Sequence, residues 1–185
     1  PEGGFVKGEE IITLRHLLTH TAGFGYPNAT YKLHSAFDAG RWDYEDFPRQ
    51  FESGTRFLYG TNTDWVGKLV EQVSGMTLEV YFKKNIFEPL GIKNTHFNVP
   101  ENAKKRIASM GNRGEDGRSK LREIDGDEVS PNRYPVKKIT KFSGGDGLFS
   151  TPSDYTKILQ CMLNYGVVDG RRILEKKTVE TMVEN

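Results

Sequence analysis

The sequence predicts a mainly α-helical chain with a few short strands, and three observations carry that reading. Apolar residues recur at spacings of three and four in four segments, each with a recognisable cap or stop. The β-like stretches are only four residues long and are bounded by polar residues or glycine. Residues 98–142 are rich in Lys, Arg, Asp, Gly and Asn and hold no sustained period, which predicts loops.

The first helix is predicted over 14–19, in TLRHLLTH, with Thr13 as the N-cap candidate and Leu14, Leu17 and Leu18 on one face. AGFG ends it. The second is predicted over 64–74, because Val66, Leu69, Val70 and Val73 fall at i, i+3, i+4 and i+7, with Asn62 or Thr63 as cap and Gly75 as stop. The third spans 77–86, starting at Thr77 with Leu78, Phe82 and Ile86 in register and closing at EPLG. These two form a helical pair. The fourth, 152–165, has the strongest start signal: Thr151 as N-cap, Pro152 in the first turn and Asp154 as capping-box acid. Ile158, Met162 and Tyr165 mark its buried face, Leu159 lies at the edge of the stripe, and Gly166 is the stop. A short last helix starts near Thr178. HFNV and GLFS are the strand candidates, and AKKRIASM is the one piece of 98–142 expected to form a short strand or helix.

At 185 residues the chain suits one well-cored domain or a large part of a bigger one. It opens on PEGGFVKGEE without an initiator Met and closes inside or just after a helical pattern, so the expectation is the middle of a longer protein. Twenty-six Lys and Arg against 25 Asp and Glu give a net charge of +1, and no basic run interleaves with aromatics. Nucleic acid is not an expected partner. No apolar run approaches the roughly 20 residues needed to cross a bilayer. The one cysteine, Cys161, cannot form an internal disulfide and reads as a small buried apolar side chain.

Several constellations resemble sites without completing them. His16 and His20 stand at i and i+4, as in HExxH zinc sites, but Leu17 occupies the place of the general-base glutamate and no third ligand follows. A structural histidine pair is the better reading, and no metal is expected. GGDGLFS, residues 144–150, lacks both the Lys-Ser/Thr ending of a phosphate loop and the third glycine of a dinucleotide fingerprint, so it reads as a tight turn admitting close backbone approach. Neither SxxK nor GxSxG occurs, and Ser74 and Ser143, each ahead of a glycine, have no lysine three residues on. Tyr59 remains, in FLYGTNTDWVGKLVEQVSG. A phenol titrates near 10 and moves protons only where its anion is stabilised, so on local context alone Tyr59 is a half-buried packed aromatic.

Three stretches taken together change that reading. ITLRHLLTHTAGFGY, the Tyr59 stretch continued through MTLEVYFKKNIFEPLGIKNTHF, and FSGGDGLFSTPSDYTKILQCMLNYGVVDGRRILEKKTVETM resemble, in order, the serine β-lactamase-like superfamily, closest to its class C β-lactamase, D-aminopeptidase and family VIII carboxylesterase branch. The resemblance implies the helix-rich middle portion of a β-lactamase/transpeptidase-like α+β fold, a single partial domain over 1–185 with 98–142 as a loop-rich insertion. The upstream SxxK helix and the downstream KTG or HxG strand of the family lie outside it.

The resemblance also implies chemistry. A serine of SxxK attacks an ester or amide carbonyl without any cofactor, and Tyr59, matching the tyrosine of the family's YxN, takes the serine proton and returns it to the leaving group, with a lysine ammonium favouring the phenolate. Thr61 stands where the family has asparagine. Thr61, with Asn62 as a substitute amide, is the expected substrate-binding pair, and the change favours an esterase-like or peptidase-like member over a true β-lactamase. The expected partner is a small ester or amide. Two other functions use the same scaffold: acyl transfer to an alcohol, and a non-catalytic relative that binds a ligand or partner.

Overall fold

The computed structural model describes residues 8–26, 48–108, 111–113, 119–121 and 138–184. They gather into two compact units, one formed by residues up to Leu78 with Ser143–Asp146, the other by Glu79–Phe142 with Gly147 onward.

In the first unit helix α1, Leu14–Leu18, starts where Thr13 predicts. The Thr13 hydroxyl accepts from His16 N at 3.2 Å and Thr13 N donates to His16 Nδ1 at 3.3 Å, a reciprocal cap with imidazole in place of the usual Glu or Gln. Helix α2, Asn62–Ser74, begins two residues earlier than its apolar period indicates, with Thr61 at the N-cap position and Gly75 at φ +68 closing it. The cap expected of Asn62 is not made, because that side chain turns inward. Leu17, Ala22 and Phe24 form the core, with Trp65 and Val66 packed on it and the Phe24 and Trp65 rings stacked at 5.3 Å. The stripe predicted on α2 is only partly buried: Val66 packs, whereas Val73 is 80% exposed.

The Ser143–Asp146 turn lies against α2, and glycine is what admits it. A Cβ on Gly144 would sit 2.1 Å from Thr63 O and 2.9 Å from Gly67 N, so the close-approach reading of this glycine run matches its packing. The Asp64 carboxylate fastens the turn by accepting from Ser143 Oγ and from Gly145 N.

In the second unit helix α3, Leu78–Phe82, widens into a π-helical turn over Lys83–Phe87, with Glu88 N bonded to Lys83 O. The extra residue per turn lets Phe82, Ile86 and Phe87 all face the core, where a straight α-helix would have carried Phe87 aside. That core holds Phe87, Leu90, Ile92, Cys161 and Val168, so Cys161 has the buried apolar role its sequence context predicts. Helix α4, Pro152–Leu163, is capped by Thr151, whose hydroxyl accepts from Asp154 N at 3.3 Å. The Asp154 carboxylate does not complete the expected capping box: the residue is 2% exposed and its carboxylate accepts from Lys93 N and Asn94 N. Tyr165, expected on the buried face, is 51% exposed, because α4 stops at Leu163 and Tyr165 takes φ +51. The last helix, α5, is Lys176–Val183, starting close to where it was expected.

The strands are shorter than expected. HFNV and GLFS form a single antiparallel bridge, His96 to Phe149, with both N–H···O bonds at 2.9 Å. Side chains divert the flanks: the Thr95 and Ser150 hydroxyls bond each other at 2.8 Å, Asn98 pairs with the backbone of Ile139, and Gly147 turns at φ +90. Two small ladders complete the count among the described residues: β1, Gly111–Arg113, with β2, Ser119–Leu121, and β3, Val167–Val168, with β4, Arg171–Arg172. The first ladder and a 3₁₀ turn over Glu101–Arg106 lie inside 98–142, whose remaining expected loops fall mostly outside the described residues. Among those described, no helix is long and apolar enough to cross a membrane.

Candidate active site

Tyr59 stands just ahead of α2 and is 61% exposed. Two rings touch it. The His20 imidazole lies tilted at 39° with its centroid 4.6 Å away, and Tyr26 meets it edge-on at 5.7 Å. The phenol is thus an open side chain lodged between aromatic neighbours, not the half-buried packed residue that local context suggests.

The segment carrying Tyr59 is pinned from both sides. Leu58 N donates to His20 O at 2.8 Å. Gly60 packs so closely on the Phe24–Gly25 backbone that a Cβ there would sit 2.2 Å from Phe24 O. Asn62, with no exposed surface, donates through Nδ2 to Phe24 O at 3.1 Å and to Leu58 O at 3.3 Å, and the same nitrogen stands 3.1 Å from His20 Nδ1. Its Oδ1 is buried without a hydrogen-bond partner among the described residues. Such an orphan costs about 1–3 kcal/mol, a debit that the bonds of the same amide to the two carbonyls offset.

Thr61 and Asn62, expected to touch substrate, are therefore both buried, at 4% and 0% exposure. The Asn62 side chain bonds the carbonyl of Leu58, next to Tyr59. His16 and His20 do not share a helix face, because α1 stops at Leu18; His16 caps the helix start and His20 lies past its end. His20 takes φ +54, a left-handed conformation that costs a non-glycine residue roughly 1 kcal/mol. Sequence reasoning missed His20 and Tyr26 as neighbours of the phenol. The available signal was a histidine where a helix end ordinarily takes glycine.

Tyr26 holds its proton more tightly than an ordinary phenol: burial raises its pKa first, followed by the negative charges of Asp64, of Tyr59 when ionised, and of Asp146. Of the two phenols, Tyr59 is the more open. Ser143 is no nucleophile here, since its hydroxyl donates to Asp64 and accepts from Gly145 N and Asp146 N. In the second unit a cavity of about 420 Å³ is lined by His96, Arg106, Ser150 and Thr151 among others. Burial lowers the His96 pKa there, yet the adjoining Asp154 carboxylate is occupied by backbone N–H groups and the cavity gathers no activated nucleophile.

The family model described as Beta-lactamase matches residues 5–185, and the chain belongs to that family. Among its relatives, monacolin J acid methylbutanoyltransferase of Aspergillus terreus is 34% identical over 190 residues, covering 94% of this chain and 42% of that protein. Lovastatin esterase of Penicillium rubens is 32% identical over 168 residues, covering 82% and 40%. Among solved structures, a mutant of simvastatin synthase from Aspergillus terreus superposes with a TM-score of 0.79 at 32% identity, over 96% of this chain and 41% of that one. The chain spans less than half the length of these relatives. The fold is β-lactamase-like, helix-rich with short strands.

Proposed function

We propose that the parent protein is an esterase-like serine hydrolase working through an acyl-enzyme, with Tyr59 as the phenol that carries protons. The observation behind this reading is the placement of Tyr59: exposed, ahead of α2, and in ring contact with His20 and Tyr26. A serine oxygen attacks the ester carbonyl as its proton passes to the Tyr59 oxygen, which starts this step as the phenolate that the family's lysine ammonium favours. The ester C–O bond then breaks and the departing alkoxide takes that proton. Water next attacks the acyl-serine, its proton relayed the same way, and the acid leaves. Asn62 holds the segment that presents the phenol through its bonds to Phe24 O and Leu58 O.

The nucleophile and its lysine are placed in a part of the parent protein outside these 185 residues, which then form the helix-rich middle portion of a larger α+β domain. The absence of SxxK and GxSxG supports this. The isolated 185-residue chain is accordingly expected to be silent toward a chromogenic short-chain ester, since loss of the nucleophile removes the covalent route. Turnover above a heat-killed control, with stoichiometric labelling of one serine, would refute that placement. The full-length protein is expected to turn over the same ester, and a chromogenic cephalosporin more slowly; failure with the ester removes the hydrolase reading.

A second reading, transfer to an alcohol, is favoured by the identity to a methylbutanoyltransferase. Both outcomes share the acyl-serine and differ in what attacks it. A small alcohol added to the full-length protein and a short-chain ester is expected to yield a new ester alongside the acid, read by chromatography. Acid alone at every alcohol concentration excludes transfer to that acceptor class.

A further inference from the structure

We propose that His20 is a positioning residue for Tyr59, fixing the phenol ring in the orientation its proton transfers need; this rests on the reading of Tyr59 given above. Thr21 N bonds to His16 O at 2.8 Å and His20 N to Leu17 O at 3.2 Å, the paired bonds of a Schellman turn, with His20 at its left-handed position, φ +54. Glycine fills that position at no steric cost. A histidine there works against the local rule, and such conflicts mark places where the side chain is needed for something else.

What the side chain does is visible in its contacts. Two of the acceptors facing Asn62 Nδ2, Phe24 O and Leu58 O, are carbonyls, which only accept; the atom between them is therefore the amide nitrogen. The third group facing that nitrogen is His20 Nδ1 at 3.1 Å, so the buried amide lies directly against the imidazole. A fully buried amide thus fixes the ring plane of His20. The ring centroid lies 4.6 Å from that of Tyr59, and Phe57 meets the imidazole edge-on at 6.0 Å. Without the imidazole, a side chain 61% exposed would keep only the edge contact with Tyr26 among the described ring contacts. A reacting oxygen must be held to a fraction of an ångström, and a free phenol rotor is not.

The test uses the full-length protein with a short-chain chromogenic ester and four variants: His20→Gly, His20→Asn, Tyr59→Phe, and His20→Gly combined with Tyr59→Phe. Glycine and asparagine both accept the left-handed turn, so the fold is retained while the ring is lost. Both single His20 variants are expected to lose kcat roughly ten- to hundredfold, with KM little changed and melting temperature not lowered. In the Tyr59→Phe background the same His20 substitution is expected to add almost nothing, because the positioned hydroxyl is already gone. Unchanged kcat in both His20 variants, with activity lost in Tyr59→Phe, overturns the role of His20 and leaves the reading of Tyr59 standing. An equal loss with and without the Tyr59 hydroxyl, or unfolding of both His20 variants, also overturns it. Full activity in Tyr59→Phe removes the reading of Tyr59 and this inference with it.

Discussion

Tyr59→Phe in the full-length protein is expected to lower turnover of a short-chain ester by about 10²–10⁴-fold, the usual contribution of a general acid–base group. That corresponds to about 3–5 kcal/mol of transition-state stabilisation. KM should hardly move, because the hydroxyl is needed chiefly while protons are in flight. Stability should also hold. The contacts of Tyr59 with His20 and Tyr26 are made by its ring, which phenylalanine keeps, and at 61% exposure the hydroxyl is not a buried polar group to be lost. Burst kinetics separate acylation from the later step: near-normal acylation by the variant at neutral pH would return Tyr59 to the role of an aromatic prop.

How much of this was legible in the sequence follows from how local each determinant is. Thr13, Gly75 and Thr151 act within four residues of themselves, and they mark helix ends within one or two residues of where the structure has them. Asn62 was read as a cap for the same reason, but its amide is committed to His20 and Phe24, 42 and 38 residues earlier in the chain. Asp154 shows the same bias: the spacing makes it a capping-box acid, whereas its carboxylate bonds backbone N–H groups 61 and 60 residues earlier. HFNV and GLFS have strand composition, yet a strand extends only as far as its partner does, and side-chain bonds end this pairing after one bridge. The site divides along the same line. Tyr59 could be singled out as a candidate only through a family motif, which stores long-range geometry as local spacing. His20 could not, because its link to Tyr59 depends on a helix ending at Leu18 instead of continuing.

Gly60→Ala should be the most damaging single methyl near the site. The added Cβ would stand 2.2 Å from Phe24 O, 2.5 Å from Gly25 Cα and 2.7 Å from Gly25 C. All three are backbone atoms, so no side chain can swing aside, and the two segments must separate. Separation stretches the bond from Asn62 Nδ2 to Phe24 O and disturbs an amide that has no exposed surface from which to recruit water. Overpacking of this kind costs about 1–3 kcal/mol, and weakening a buried hydrogen bond adds about 1–2 kcal/mol. The expected loss is therefore about 3 kcal/mol in equilibrium urea unfolding of the full-length protein, with reduced ester turnover because the displaced residue adjoins Tyr59. Gly75→Ala is the control for glycine replacement as such. Gly75 has φ +68 but nothing within 4 Å of its Cβ position, so alanine there meets left-handed strain without a clash. That strain costs about 1 kcal/mol and, at the far end of α2, should leave turnover unchanged. If Gly60→Ala were no more destabilising than Gly75→Ala, the contact between the Tyr59 segment and the Phe24–Gly25 backbone would not be what holds the phenol in place.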